Sequence, residues 1–338
     1  MYSTALVLSN KKLLVNIDYK GVVKDLYYPN VGEENQLSSN TNPLFFYIDD
    51  ALVEINEENF SIEIEYLADS LIGEVTYTER AGRFSCKIRN VIFEKETIFF
   101  RHIVLTNLSE KPLEIKVIFQ NNFSLLENSI GDTVIWYQPE GFLWHYKKKR
   151  HIAIGSNSKF YQMSCAAKSD NNGKGAIPDS KGELDFNPVS TGDVSSCISF
   201  FSDLGAKTTD KHLLFYCFAK NKDDLIKLVK KARKTNPNYL IQKQEIASSQ
   251  FLDDFVNIKN VALLAKRFSN EDLAQIVKDY QRSILILHSQ TNSNGIVTAG
   301  NDGQFLKTDG KDHYSYFWPR DGAFVAEALV TIKDMKLF

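Results

Sequence analysis

The chain has 338 residues, which is longer than one hydrophobic core usually organises, and 43% of its residues are apolar. Its formal net charge of −2 excludes a global field that would attract nucleic acid or an anionic membrane. Four scattered cysteines without CxxC spacing argue against the common zinc and redox sites and against a disulfide framework: Cys86, Cys165, Cys197 and Cys217.

The first residues, MYSTALVLSNKKLLVNID, lack a basic region followed by an apolar run of signal-peptide length. No sequence window approaches the roughly 20 apolar residues of a membrane span. We therefore expect a soluble cytoplasmic protein whose partners include neither nucleic acid nor a membrane.

Apolar and polar residues alternate with period two over most of residues 1–221. In LEIKVIF (113–119) the odd-numbered residues share one face, and Glu114, Lys116 and Ile118 share the other. TIFFRHIVLTN, TVIWYQ and HLLFYCFA are more uniformly apolar, which indicates strands buried on both faces. Because turn sequences such as QPEG and DNNGKG separate the strands, we predict a large antiparallel β-sandwich. FSIEIEY alternates in the same way, with one face formed by Phe60, Ile62, Ile64 and Tyr66.

One basic run, KKKRH (147–151), lies between two strand-like segments. We interpret it as a solvated hairpin, and a phosphate-binding patch is the alternative.

The apolar period becomes helical near residue 222. Pro237 ends this first helical run, and we predict a helical linker over residues 222–268. The residues at helical spacing are Leu225, Ile226, Val229 and Ala232.

Two further helical patterns begin near Ser269, which with Asp272 resembles a capping box, and at Asp321. About 30 residues rich in Gly, Asn and Asp separate them, and a long loop between packed helices is more often functional than idle. We predict that residues 269–338 begin an α-helical domain, truncated because two helices cannot close a core. The first stripe is Leu273, Ile276, Val277, Tyr280, Ile284 and Leu287; the second is Phe324, Val325, Ala328, Leu329, Ile332 and Met335.

The segment DHYSYFWPRDGAFVAEAL (312–329) combines aromatic rings with an adjacent Arg320–Asp321 pair. Aromatic faces suit the C–H face of a pyranose, and tyrosine hydroxyls and the indole N–H can bind its edges. A guanidinium fork beside a carboxylate can bind vicinal hydroxyls, which both donate and accept. The alternative is structural: Asp321 as a helix N-cap, Arg320 in a surface ion pair and Trp318 as a core residue.

The sequence gives little support for other kinds of functional site. His288 and His313 are interpreted as helix and loop residues, not metal ligands. No nucleotide-binding glycine loop, nucleophile elbow or calcium loop is present in the sequence. We expect no cofactor and no metal.

YSYFWPRDGAFVAEAL (314–329) resembles the first conserved segment of glycoside hydrolase family 15, which contains glucoamylases, glucodextranases and microbial trehalases. NGIVTAG (294–300) is similar to the family's segment after the first barrel helix. NKKLLVNIDYKGVVKDLYYPNVGEENQ (10–36) resembles the start of the β-domain in its prokaryotic members. The resemblance implies an N-terminal antiparallel β-supersandwich, a helical linker, and the first part of an (α/α)6 six-hairpin glycosidase barrel.

Carried over from the family motif, Arg320 and Asp321 would bind hydroxyls of the non-reducing-end glucose in the subsite before the scissile bond. Trp318 and Tyr314 would line that subsite, with Tyr314 near the developing oxocarbenium charge. Tyr316 is a further candidate, for binding or for packing.

Family members invert the anomeric centre with two glutamates whose carboxyl groups stand roughly 6.5–9.5 Å apart. Both belong to later barrel segments, so we assign no catalytic residue in this chain and expect the acid and base beyond Phe338. The chain alone is then predicted to be inactive. Four acidic residues near the motif match neither role: Glu327, Asp302, Asp309 and Asp312.

The leading hypothesis is a glucoamylase-like, exo-acting, inverting α-glucoside hydrolase of the glucan 1,4-α-glucosidase type, which releases glucose from non-reducing ends. The alternatives are a trehalase of the same family, a non-catalytic glucan-binding or regulatory protein that keeps the fold, and a free-standing carbohydrate-binding module. The expected partners are an α-glucan or α-glucoside oligosaccharide and a second polypeptide that completes the barrel. Linkage choice stays open, since later loops build the leaving-group side.

Overall fold

The computed structural model describes residues 4–253, 267–300 and 317–331. Strands fill the first part of the chain and helices follow. The strands are β1 (Thr4–Ser9), β2 (Leu14–Asp18), β3 (Val23–Tyr27), β4 (Leu44–Ile48), β5 (Ala51–Val53), β6 (Phe60–Leu67), β7 (Ile72–Glu79), β8 (Phe84–Ile92), β9 (Ile98–Asn107), β10 (Leu113–Asn121), β11 (Asp132–Tyr137), β12 (Phe142–Lys147), β13 (Arg150–Ser156), β14 (Gln162–Ala167), β15 (Val189–Gly192), β16 (Val194–Leu204) and β17 (Thr209–Ala219). The four long helices of the described residues are α1 (Lys222–Arg233), α2 (Pro237–Asp253), α3 (Asn270–Ser289) and α4 (Pro319–Thr331), and two short helical segments, Leu125–Glu127 and Asp170–Gly173, lie among the strands.

The strands form three antiparallel sheets. One has the order β1-β2-β3, the second β14-β16-β10-β4-β5, and the third is nine-stranded with the order β15-β11-β12-β13-β17-β9-β8-β7-β6. In the third sheet β17 pairs with β13 on one side and with β9 on the other. The predicted antiparallel β-domain ahead of a helical part is therefore confirmed, whereas the domain boundaries at 221 and 268 stay predictions.

The main hydrophobic core lies between the sheets. Phe46 of the five-stranded sheet contacts three rings of the nine-stranded sheet, with centroid distances of 5.5 Å to Phe60, 5.3 Å to Tyr77 and 5.4 Å to Phe84. Two of these pairs meet edge to face, the arrangement that the ring quadrupole favours. These contacts hold the two larger sheets face to face.

The alternation predicted for β6 is confirmed, because Ile62, Ile64 and Tyr66 pack against this core while Glu63 and Glu65 are exposed.

The prediction for β10 holds for its inner face and is incomplete for its outer face. Ile118 and Lys116 are both buried, because the segment that follows DNNGKG folds over this side of the five-stranded sheet. Ile118 packs in a cluster with Ala176 and Leu184. Lys116 pairs with Glu183 and, at 2.6 Å, with Asp50. This paired lysine shows how a charge is tolerated beneath a covering loop.

KKKRH forms the predicted hairpin between β12 and β13, but two of its charges are not solvated. Lys147 is buried and donates to the carbonyls of Leu125 and Asn128, both at 2.9 Å. Arg150 binds Glu34, with Nε 2.7 Å from Oε2. The solvated-hairpin interpretation is therefore correct for the turn and wrong for these two side chains.

Helices α1 and α2 cover the outer face of the nine-stranded sheet, where Leu225, Val229 and Ala232 join a core cluster with Phe100 and Phe215. The Asn221 side chain caps α1 by accepting from the N–H of Asp224 at 2.9 Å.

Pro237 lies beyond the end of the first helical run and begins the next helix. Helix α1 stops at Arg233, and Pro237 is the first residue of α2, a position at which its missing N–H has no cost.

Candidate functional site

Helix α3 precedes the candidate site in the sequence and packs against the β-domain. Ser269 caps the helix as predicted, since its hydroxyl accepts from the N–H of Asp272 at 3.1 Å. The capping box is only half formed, because the Asp272 carboxylate accepts from the Ser269 hydroxyl at 2.7 Å and not from the Ser269 N–H. The predicted apolar stripe is only partly buried, since Ile284 is buried whereas Tyr280 is 41% exposed. The buried residues lie in the second half of the helix, where it contacts the β-domain.

Arg282 attaches α3 to the β-domain. Its guanidinium donates to the carbonyl of Ala68 at 2.8 Å and to that of Ser70, and it lies 4.1 Å from the centroid of the Tyr66 ring. The Tyr66 hydroxyl is itself fixed, accepting from the N–H of Val7 at 2.7 Å. Burial lowers the pKa of Arg282. A charge held by two carbonyls and an aromatic face sets the position of α3 on the β-domain.

The chain turns back immediately after α3. Thr291 pairs with Val297, and the buried Asn292 side chain accepts from the N–H groups of Asn294 at 2.9 Å and Ile296 at 3.0 Å. Gly295 has φ of 78°, a conformation that glycine adopts without steric cost. NGIVTAG therefore forms a tight turn folded against the end of α3.

Helix α4 carries the described part of the candidate site. It begins at Pro319, two residues earlier than predicted, because proline fits the first helical position. Asp321 lies in the first turn, where the helix dipole favours a negative charge, and so the alternative interpretation of Asp321 as the N-cap is wrong. The N–H of Gly322 donates to the carbonyl of Trp318 at 2.8 Å.

The structure brings Arg320 and Asp321 together. Arg320 Nη2 lies 3.2 Å from Asp321 Oδ2 and 3.4 Å from Oδ1. The Arg320 side chain is 75% exposed and the Asp321 side chain 34% exposed, so both have donors and acceptors that solvent or a ligand can reach. Trp318 precedes them and is half-buried. Two vicinal hydroxyls of a ligand can bind to both side chains in this geometry. That binding role stays a prediction.

Gly322 is a residue that sequence reasoning missed. A Cβ placed on it would lie 2.4 Å from Cε2 of Phe317, so the absence of a side chain lets that ring lie over the first turn of α4. The sequence signal was a glycine inside a helical pattern. Such a glycine destabilises a helix by about 1 kcal/mol relative to alanine, which indicates that close packing requires it.

Other predicted residues are not all covered by the structure. Tyr314 and Tyr316 lie outside the described residues, together with His313, Asp302, Asp309, Asp312, Ile332 and Met335. Glu327 is described and is exposed on α4, and Phe324 of the predicted apolar side is 67% exposed.

Within residues 4–253, 267–300 and 317–331, no cluster of His, Cys, Asp and Glu has the grouping of a metal site. No helix in the described ranges combines the length and apolarity needed to span a membrane. The four cysteines are free and buried, and burial raises the pKa of Cys165 to about 12.

Two strongly shifted groups lie on strands of the β-domain. Burial lowers the pKa of His145 on β12 to about 3, and its Nε2 lies 2.8 Å from the Ser196 hydroxyl oxygen. Burial raises the pKa of Asp132 on β11 to about 6. The nearest cation to Asp132 is Lys147, whose Nζ is 3.6 Å from Oδ1, too far for a hydrogen bond. We assign both groups to the stability of the β-domain.

Comparison with known proteins gives three findings. A family model described as glucodextranase, domain N, matches residues 17–245. An uncharacterized glycosyl hydrolase of Methanocaldococcus jannaschii is 22% identical over 330 residues, covering 96% of this chain and 50% of that protein. The crystal structure of a bacterial glucoamylase complexed with acarbose superposes with a TM-score of 0.77 at 14% identity, covering 99% of this chain and 48% of that one. The chain thus spans about half the length of the relatives it matches.

Proposed function

Since the chain belongs to the family described as glucodextranase, domain N, we propose that it forms part of an exo-acting, inverting α-glucoside hydrolase of the glucoamylase type. Its relatives are glycoside hydrolases by name, and its fold is that of a bacterial glucoamylase over nearly the whole chain. The proposed reaction releases glucose from the non-reducing ends of α-glucans.

The observation that carries this proposal is the Arg320–Asp321 pair at the start of α4. The guanidinium has N–H donors left after its contact with Asp321, and the carboxylate retains acceptor sites. Two neighbouring sugar hydroxyls can each accept from the fork and donate to the carboxylate. Charge-assisted bonds of this kind are worth about 1.5–3 kcal/mol each, more than the bonds between neutral groups.

In the proposed site Trp318 lines the subsite next to the pair, and Tyr314, which lies outside the described residues, is proposed to line it as well. The acid and base of an inverting hydrolase are two carboxyl groups on opposite sides of the scissile bond. No residue among 1–338, Glu327 included, matches those roles in the family motif. We propose that residues 1–338 hold the terminal glucosyl unit and release no glucose by themselves.

Binding of acarbose, the ligand of the glucoamylase with the same fold, tests the pair directly. Arg320→Lys keeps the charge but removes the planar fork, and Asp321→Asn removes the charge of the acceptor. By calorimetry, each should weaken binding about 10- to 100-fold, which corresponds to the loss of one charge-assisted bond. Glu327→Gln on the same helix is the matched control and should bind normally. Equal affinities for Arg320→Lys and Glu327→Gln would refute the proposed site.

Glucose release from maltose, starch and trehalose separates the remaining alternatives. The assay is run on the 338-residue chain and on the product of its reading frame extended past Phe338. Release from maltose and starch by the extended product supports the glucoamylase type, and release from trehalose alone supports a trehalase. Acarbose binding without release by the extended product supports a non-catalytic glucan-binding protein. Turnover by the 338-residue chain that Arg320→Ala abolishes would contradict the proposed inactivity.

A further inference from the structure

A cleft of about 270 Å³ lies between the β-domain and the helices α2 and α3. The β-domain lines it with the turn after β1, including Asn10 and Lys11, and with Glu94. The helices contribute Gln244 and Ser248 from α2 and His288 from α3. We call this space the interdomain cleft.

Ser248 of α2 offers a hydroxyl to the interdomain cleft. It is only 6% exposed, and its hydroxyl makes no hydrogen bond to any residue that the structure describes. A serine inside a helix usually bonds the carbonyl four residues earlier or points into solvent. The hydroxyl oxygen is open to the cleft, so it can bond a ligand there without breaking a bond within the described part of the protein.

The other polar groups of the cleft suit hydroxyls. Gln244 is half-buried, and its amide makes no hydrogen bond within the described part of the chain, so it has both a donor and an acceptor to offer. Asn10 is fixed as part of the rim, because its Nδ2 donates to the carbonyls of Phe93 at 2.7 Å and Glu96 at 2.9 Å.

The charges and the apolar surface of the cleft indicate a neutral ligand with an apolar face. Lys11 and Glu94 carry opposite charges, so the lining has no excess that would select an anion or a cation. Leu285 and Phe251 supply apolar surface, and the Phe251 ring lies 4.4 Å from that of His288. Amide and hydroxyl groups beside flat apolar surface are the combination that binds a sugar ring.

The volume of the cleft suits a small ligand. The space of about 270 Å³ is slightly smaller than the ~300–1,000 Å³ of pockets for drug-sized molecules. We therefore expect it to hold one pyranose ring, and any further units of a glucan chain would extend through the open side of the cleft.

We propose that the interdomain cleft is a second sugar site, which binds one neutral hexose unit through Ser248 and Gln244. The unit is either free glucose or the end of a glucan chain, since both present the same hydroxyls. The site is separate from the Arg320–Asp321 pair and requires no hydrolytic activity. Because its walls come from both the β-domain and α3, a bound hexose links them and stabilises their docking.

The test is binding of glucose, maltotriose and glucose 1-phosphate to the 338-residue chain, measured by saturation-transfer NMR and calorimetry. Ser248→Ala should weaken glucose binding about two- to tenfold, the effect of one neutral hydrogen bond. Gln244→Leu removes two bonding groups and should weaken it at least tenfold. Helix α2 supplies matched controls in the exposed residues Ser249 and Gln242: Ser249→Ala and Gln242→Leu should bind normally.

Each outcome decides the proposal. Binding of glucose alone identifies a free hexose as the ligand, and equal binding of maltotriose identifies a glucan end; both support the site. No glucose binding, equal losses in the exposed controls, or tighter binding of glucose 1-phosphate would overturn it. If Arg320→Ala abolishes glucose binding while Gln244→Leu preserves it, the hexose binds at α4, and the interdomain site is wrong while the proposed function stands.

Discussion

Replacing Arg282 with methionine should loosen α3 from the β-domain without unfolding either. Methionine keeps an apolar side chain of similar length, so the substitution removes the charge and the hydrogen bonds but retains most of the packing. What is lost are the bonds to the carbonyls of Ala68 and Ser70 and the contact with the Tyr66 ring.

The magnitude follows from these contacts. Bonds from a charged donor are worth about 1.5–3 kcal/mol each, and a cation–π contact about 0.5–2 kcal/mol. Part of this is recovered, because Ala68 is exposed and its carbonyl can be hydrated. We expect a net loss of about 2–4 kcal/mol, which raises the population of molecules with α3 detached by about 30- to 1,000-fold.

Native-state hydrogen exchange measures this directly. In Arg282→Met the amides of α3 should lose protection by that factor, while those of β9 in the centre of the large sheet should be unchanged. Lys278→Met is the control, since Lys278 lies one turn earlier on α3 and is exposed. If α3 exchanges equally fast in the two variants, Arg282 does not hold the helix and this account of the interface is wrong.

Three further predictions concern stability and the candidate site. Gly322→Ala should displace the Phe317 ring and weaken acarbose binding at least threefold, while urea unfolding shifts by less than about 1 kcal/mol because alanine favours the helix; unchanged affinity would contradict it. Folding raises the pKa of Asp132 from 3.8 to about 6, so the folded state favours the protonated carboxyl. The stability that this protonation contributes is fully present below pH 3.8 and is lost as the pH rises through 6. Asp132→Asn should therefore be more stable by up to about 3 kcal/mol at pH 8 and equal at pH 3.5 in urea unfolding; a gain at both pH values would refute the assignment. His145, whose pKa is depressed from 6.5 to about 3, contributes stability that is present above pH 6.5 and lost as the pH falls towards 3. In His145→Gln the free energy of unfolding should fall less between pH 6.5 and 3, by up to about 5 kcal/mol. If it falls as steeply in the variant as in the unsubstituted protein, His145 does not cause the loss.

The features that the sequence predicted well are local ones. Alternation in β6 needs only neighbouring residues, and so do the capping of α3 by Ser269 and the meeting of Arg320 with Asp321. In each case the interacting groups lie within a few residues, where backbone geometry determines which side chains share a face.

The features that sequence reasoning missed depend on distant segments. Lys116 is buried because Glu183, 67 residues away, brings a covering loop over its sheet. Arg282 contacts Ser70 across a separation of 212 residues. No periodicity encodes such partners, and the interdomain cleft, which distant segments also build, was missed for the same reason. Tyr314 and Tyr316 lie outside the described residues, and their place in the candidate site stays a prediction.

The position of β17 in the large sheet has a consequence for folding during synthesis. Residues 60–107 can pair among themselves as β6 to β9, and residues 132–156 as β11 to β13, as soon as each group leaves the ribosome. Neither group contacts the other in the sheet until Thr209–Ala219 is inserted between them. Until that strand emerges, two partial sheets each present an unpaired inner edge, the condition that favours wrong pairing between chains. We therefore expect nascent chains stalled before residue 209 to aggregate and those stalled well beyond residue 219 to remain dispersed.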